Sequence, residues 1–240
     1  MIILRRSTER RHVRCGKHEI WLTFYPREPP SRPVGPFGAL AALDEICFQP
    51  GGVSVPVPRE EAEILTYVYR GALAQEDSTG SSGVVNAGEF QRMTTGRGVR
   101  RKETNASRTD RTLVFRVSLT PSQVGLDCAH EQRRFAAAQR RNVLCVVASP
   151  DGRKGSLRTL QEAVICSSVL DPGHHLVHEL RPGRSAWLHV ICGEATLQDF
   201  VLTPGDGVGV TDEPAVSLTA QESAEILLVD LGPAPNRSGG

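Results

Sequence analysis

The chain has 240 residues, of which 39% are hydrophobic, and a formal net charge of +1. This length and apolar content are enough to bury one large or two small hydrophobic cores, and a charge near zero disfavours a nucleic-acid-binding surface. No run approaches the roughly 18 apolar residues of a membrane span, and the apolar part of residues 1–11 is too short for a secretory signal, so we expect a cytoplasmic protein.

The first half of the chain consists of short segments with the composition of β-strands. β-Branched and aromatic residues are enriched in them, and turn-forming residues separate them. Residues 27–36 are rich in proline and predict an irregular loop. Pro56 and Pro58 cannot donate to a sheet hydrogen-bond ladder, so the segment around them is predicted to be an edge or a loop entry. The predicted strands are residues 2–5, 20–25, 39–48, 63–70 and 112–119.

The strand at residues 63–70 has the clearest pattern. Its sequence, EILTYVYR, alternates and ends at Gly71. A polar stretch and the run VVNAGEF follow, and together they predict a hairpin that leads into a tight turn at Ala87-Gly88.

The second half repeats the same kind of pattern. Residues 121–142 contain one plausible helical turn and are predicted to connect the two halves. Many short strands with turn signals about every ten residues indicate a β-sandwich or barrel and not βαβ units. The strands predicted after this connection are residues 144–148, 155–160, 163–169, 175–180, 185–191, 194–202, 215–218 and 224–231.

Several segments together resemble one known family. They are EILTYV at 63–68, AGEFQ at 87–91 followed by Met93, Gly96, Gly98, Glu103 and Asn105, and then EQRRF at 131–135 and SPDGRKGSL at 149–157. These segments occur in the order found in the pirin family of two-cupin proteins. The resemblance implies an all-β bicupin with little helix, built from two antiparallel β-barrels or jelly rolls. It also implies a metal in the first domain only. We expect a cupin domain at residues 1–138, a second at 139–233 and a flexible tail at 234–240.

The resemblance also implies where a metal would bind. Pirin-like proteins hold iron or another divalent metal with a His-x-His pair before the EILTYV strand and a His-x-Glu pair near the end of the second motif. The matching positions here are Val57, Arg59, Arg101 and Glu103. Valine has no donor atom and arginine stays protonated, so only Glu103 keeps a metal-binding group. We therefore expect a degenerate metal site, no cofactor, and a ligand pocket at these four positions.

Two arrangements of that pocket remain open. Arg101 and Glu103 are two apart on a strand and so point the same way. In the first arrangement an arginine pairs with Glu103, because a buried carboxylate without a partner is costly. In the second, one arginine stays free and binds a small anion through its guanidinium fork.

Other candidate chemistry is sparse. The sequence contains no GxSxG elbow, Walker loop or HExxH motif. His174, His175 and His178 form its one histidine cluster, and they could bind a metal if Asp171 or Glu179 came near. A solvated strand start is the simpler interpretation of this cluster.

Two functions follow. The first is a non-enzymatic, metal-free, pirin-like protein that binds a small anionic ligand or a protein partner. The alternative is a quercetin 2,3-dioxygenase-type oxygenase, which the resemblance implies but which needs about three protein ligands on the metal. We expect a monomer with neither a membrane nor a nucleic acid as partner.

Overall fold

The computed structural model describes residues 1–25, 35–54, 62–96, 99–123 and 125–233. Across these residues the regular structure is nearly all β. From Ile2 to Arg134 the chain forms, in order, β1 (Ile2–Arg5), β2 (Arg11–Cys15), β3 (His18–Leu22), β4 (Leu40–Phe48), β5 (Glu63–Arg70), β6 (Ala72–Asp77), β7 (Ser82–Asn86), β8 (Glu89–Thr94), β9 (Arg101–Asn105), β10 (Thr112–Leu119) and β11 (Ala129–Arg134).

A single helical turn, α1 (Ala137–Arg140), leads from the first half to the second. It lies inside the connection that the sequence predicts at residues 121–142. The remaining strands are β12 (Cys145–Ser149), β13 (Leu157–Arg158), β14 (Ala163–Leu170), β15 (His175–Glu179), β16 (Ser185–Cys192), β17 (Ala195–Leu197), β18 (Phe200–Leu202), β19 (Gly207–Thr211), β20 (Ala215–Ala220) and β21 (Ala224–Leu231).

Each half contains one large and one small sheet. In the first half a seven-stranded sheet of order β11-β8-β5-β10-β4-β3-β2 accompanies the three-stranded sheet β7-β6-β9. In the second half a seven-stranded sheet of order β1-β19-β16-β21-β14-β12-β13 accompanies the four-stranded sheet β15-β20-β17-β18. Apolar residues of both sheets pack together within each half. The predicted all-β, two-cupin class with little helix is confirmed.

The two seven-stranded sheets also pack against each other. One apolar cluster contains Leu43, Phe90 and Phe115 of the first sheet together with Trp187 and Leu227 of the second. Alternation along each strand makes this possible, because one face of a strand points into its own half and the other toward the partner sheet. The core between the sheets therefore joins the two halves.

Strand β1 differs from what its place in the sequence suggests. Ile2 pairs with Val210 and Arg5 with Gly207, so the first strand of the chain is an edge of the second half's sheet. The domain division at residue 138 stays a prediction. The predicted tail at 234–240 and the proline-rich residues 26–34 lie outside the described residues.

The strands for which no bounds are predicted include β2, β11 and β19. β2 and β11 are charged and mostly exposed, so they lack the apolar alternation by which strands are recognised. β19 begins at Gly207 and contains Gly209, and glycine is depleted in strands. Conversely, the predicted strand at 194–202 is divided by a turn into β17 and β18.

No α-helix in the described part of the chain is long and apolar enough to cross a lipid bilayer.

Candidate functional site

A cavity of about 100 Å³ lies inside the first half of the molecule. Alternate residues of six strands line it, because residues two apart on a strand share a face. Most of the wall is apolar. Four of the lining side chains are ionisable: His18 from β3, Arg101 and Glu103 from β9, and Arg116 from β10. The apolar lining residues are Ile20, Ile46, Phe48, Ile64, Met93 and Val99.

Glu103 and Arg116 form an ion pair across the cavity wall. Arg116 Nη2 donates to both carboxylate oxygens of Glu103 at 2.6 Å, and both side chains are about nine-tenths buried. Glu103 belongs to the three-stranded sheet and Arg116 to the seven-stranded sheet. The pair therefore links the two sheets of the first half.

Arg101 points into the same cavity but has different partners. Its Nη1 donates to the side-chain oxygens of Gln75 at 3.1 Å and of Gln91 at 2.8 Å. Burial lowers the pKa of the Arg101 guanidinium, and the charges of Glu103 and Asp77 oppose that shift. The expected arginine pairing of Glu103 is therefore present, but it comes from Arg116 and not from Arg101.

His18 brings one imidazole to the cavity. Its ring stacks on Phe48 with 5.6 Å between ring centres, and the residue is only 6% exposed. Burial lowers the pKa of His18, which favours the neutral ring, and the nearby Arg116 acts in the same direction while Glu103 opposes it. No hydrogen-bond partner of its Nδ1 is found among the residues that the structure describes.

The positions predicted from the family's metal site are only partly described. Arg101 and Glu103 share one face of β9 as expected, whereas Val57 and Arg59 lie outside the described residues. Among the described lining residues, Glu103 and His18 are the two groups of the kind that bind divalent metals. The carboxylate is held by Arg116, and a second guanidinium lies nearby. The lining residues that the structure describes therefore do not by themselves form a site for a divalent cation.

Sequence reasoning missed Arg116 and His18. A signal for Arg116 was available, because it is the one charged residue in the apolar strand TLVFRVSL. His18 had no comparable signal.

The histidine cluster of the second half has other contacts. His178 Nε2 lies 2.9 Å from Asp230 Oδ2, and Arg184 Nε donates to the other oxygen of that carboxylate. His175 Nδ1 lies 2.9 Å from the hydroxyl of Thr219. Asp171, which the sequence offered as an added ligand, accepts from Arg141 and Asn142 instead.

Comparison with known proteins covers nearly the whole chain. Residues 31–117 match the family model described as Pirin, and residues 146–231 match that of the quercetinase C-terminal cupin domain. The quercetin 2,3-dioxygenase of Escherichia coli K12 is 34% identical over 233 residues, which is 97% of this chain and 100% of that protein. A putative quercetin 2,3-dioxygenase of Pseudomonas aeruginosa is 30% identical over 81% of this chain and 84% of that protein.

Solved structures agree with these matches. The crystal structure of Escherichia coli YhhW has a TM-score of 0.90 and 34% identity, with 97% of this chain and 98% of that chain covered. A second YhhW structure, in complex with nickel(II), has a TM-score of 0.86 and 33% identity, with 97% of this chain and 100% of that chain covered.

Proposed function

The chain belongs to the pirin family of two-domain cupin proteins, and from that premise we propose that it is a non-enzymatic member that binds a small ligand or a protein partner without a metal. The observation that carries this proposal is the ion pair between Glu103 and Arg116. Of the four positions that match the family's metal ligands, Glu103 alone has a metal-binding side chain. Both of its carboxylate oxygens accept hydrogen bonds from Arg116.

The ion pair opposes metal binding for an electrostatic reason. A divalent cation could use Glu103 only if Arg116 moved away, which would leave a buried guanidinium without its partner. Removing one member of a buried ion pair costs about 3–5 kcal/mol. Arg101, also beside the cavity, adds a second positive charge that repels a cation.

The same charges suit a small anion. Nη2 of Arg116 makes both of its bonds to Glu103, and in the described chain no hydrogen bond is found from its Nε or Nη1. Arginine presents five N–H donors in a fixed fork that matches a carboxylate or phosphate. A small anion could therefore bind these remaining donors beside His18 and Arg101.

Metal content tests the proposal most directly. We expect purified protein to hold well below one equivalent of iron, nickel, copper or zinc by elemental analysis. We also expect quercetin to be consumed no faster than in buffer with the same free metal. A stoichiometric metal that survives a chelator, or turnover that disappears in Glu103→Ala, would overturn the proposal.

Thermal-shift measurements with formate, acetate and phosphate test whether the cavity binds a small anion. In Glu103→Gln/Arg116→Gln the pair is neutral but can still hydrogen-bond, so we expect the stabilisation by phosphate to disappear and that by formate and acetate to fall. Arg108→Gln removes an exposed arginine and should keep the stabilisation. An equal loss in both variants would contradict a specific site.

The second candidate function is oxygen-dependent cleavage of quercetin. The observation that favours it is the 34% identity to the Escherichia coli protein named quercetin 2,3-dioxygenase. It requires a metal centre that the described cavity residues do not fit, so the metal analysis decides between the two.

A further inference from the structure

A second recess lies on the outside of the first half. This outer groove, of about 360 Å³, runs between the β6–β7 hairpin and strands β8 and β11. Its polar wall contains Gln75, Gln91, Gln132, Ser82, His130 and Arg101. Arg101 lines both this groove and the inner cavity, whereas the other groove residues do not line the cavity. Among the described residues, no carboxylate lines the groove.

Two carboxamides of the groove have their oxygens turned toward Arg101. Arg101 Nη1 donates to the side-chain oxygens of both Gln75 and Gln91. These bonds fix which end of each carboxamide faces the guanidinium, so the NH₂ ends are left for other partners. Within the described ranges, the partner found for Gln91 Nε2 is Gln132 Oε1, at 3.4 Å, which is long for a hydrogen bond.

Two donors at the groove lack acceptors. Gln75 Nε2 and Arg101 Nε are shielded from solvent, and neither has a hydrogen-bond partner in the described structure. Gln75 is 7% exposed. Buried donors are nearly always paired, and an unpaired one costs about 1–3 kcal/mol. The wall of the groove is therefore short of acceptors at one place.

We propose that the outer groove binds a small carboxylate, whose oxygens accept from the Nε edge of Arg101 and from the carboxamide of Gln75. A carboxylate supplies two acceptor oxygens and matches a guanidinium edge bidentately. Phosphate fits less well, because Arg101 is the one arginine or lysine among the described residues of the groove wall and leaves the second negative charge of phosphate unpaired. This site is separate from the inner cavity, and its existence does not depend on whether the cavity binds a metal or an anion.

Titration with acetate and succinate, followed by NMR, tests the site. We expect saturable shifts of the side-chain NH₂ signals of Gln75 and Gln132, which lie in the groove and not in the cavity. The Met93 methyl signal reports the inner cavity separately. A carboxylate that moves only Met93, or that moves none of these signals saturably, overturns the groove site.

Variants make the test specific. Gln75→Leu should weaken carboxylate binding by about tenfold or more, because it removes a donor to a charged acceptor. Arg101→Lys keeps the charge but removes the planar guanidinium that binds a carboxylate through two N–H groups, so it should also weaken binding. This variant provides the test if Gln75→Leu does not fold. Arg100→Ala removes an exposed neighbouring charge and should leave binding unchanged. Equal weakening in Arg100→Ala, or tighter binding of inorganic phosphate than of succinate, would overturn the proposal.

Discussion

Among single residues, Glu103 and Arg116 form a buried ion pair in the wall of the inner cavity. The two residues are thirteen apart in sequence and belong to different sheets, and both are buried. A guanidinium and a carboxylate at this distance each offset the cost of burying the other. The cavity can therefore keep two charged groups in an otherwise mostly apolar wall.

Arg116→Leu should destabilise the protein by about 3–5 kcal/mol, because it leaves Glu103 buried without its cation. The free energy of unfolding is measured by chemical denaturation. The double variant Glu103→Leu/Arg116→Leu should recover most of the loss. If Arg116→Leu were no more harmful than Arg108→Leu at the surface, the ion pair would have no structural role.

The buried residue His189 should make the stability of the protein depend on pH. It is completely buried against Phe115, and neither ring nitrogen has a partner among the described residues. Burial, aided by the positive charge of Arg10, holds the pKa of His189 well below its ordinary value. The folded protein therefore keeps this imidazole neutral.

Stability should consequently fall as the pH drops below about 6.5, where the unfolded chain takes up a proton that folded His189 does not. The slope from this one group reaches about 1.4 kcal/mol per pH unit. Urea denaturation between about pH 5.5 and about pH 7.5 measures it. His189→Leu should flatten the dependence, and an unchanged slope in that variant would assign the effect to other groups.

Strand β19 contains glycine, a residue depleted in strands, because a neighbouring side chain leaves no room for a larger one. Gly207 lies opposite His189 on β16, and a Cβ atom at this glycine would be 2.4 Å from Cζ2 of Trp187. The buried indole thus occupies the space that a side chain would need. This close approach accounts for a glycine in a strand where a β-branched residue would otherwise be favoured.

Gly207→Ala should cost about 1–3 kcal/mol, because the methyl group displaces Trp187 from a packed core. Thermal unfolding and the fluorescence of Trp187 report the change. Gly83→Ala is the matched control, since Gly83 is also in a strand and its added Cβ would meet nothing within 4 Å. Equal effects of the two variants would contradict a steric origin.

Across the whole molecule, buried polar contacts reinforce the apolar core between the two seven-stranded sheets. The Tyr67 hydroxyl donates to Glu225 at 2.5 Å, and Arg140 donates to the same carboxylate at 2.5 Å. The backbone N–H groups of Leu160 and Gln161 donate to the buried carboxylate of Glu63. Separation of the halves would break the contact of Tyr67 with Glu225 and those of Glu63 with Leu160 and Gln161 at once.

The two halves should therefore unfold together. Trp21 is in the sheet of the first half and Trp187 in that of the second, so Trp187→Phe and Trp21→Phe each leave one fluorescent reporter. Within each variant we expect the fluorescence and far-ultraviolet circular dichroism transitions to have the same midpoint. Separate midpoints would mean that the halves unfold independently.

Local sequence patterns are enough to predict the β class and the bounds of several strands. β5, β10 and β21 have the predicted bounds, because their apolar and β-branched residues carry the strand signal within the segment itself. The shared direction of Arg101 and Glu103 was predictable for the same reason, since alternation along one strand is a local property. The family's motifs could be recognised because their spacing is also local.

Which separate segments contact each other is seen only in the folded structure. Arg116 reaches Glu103 from the other sheet of the first half, and β1 pairs with β19 about 200 residues away. β2 and β11 are strands because a neighbour supplies their hydrogen bonds, although their own charged sequences lack the pattern. Such pairings depend on contacts between separate segments of the chain, which the alternation within one segment does not encode.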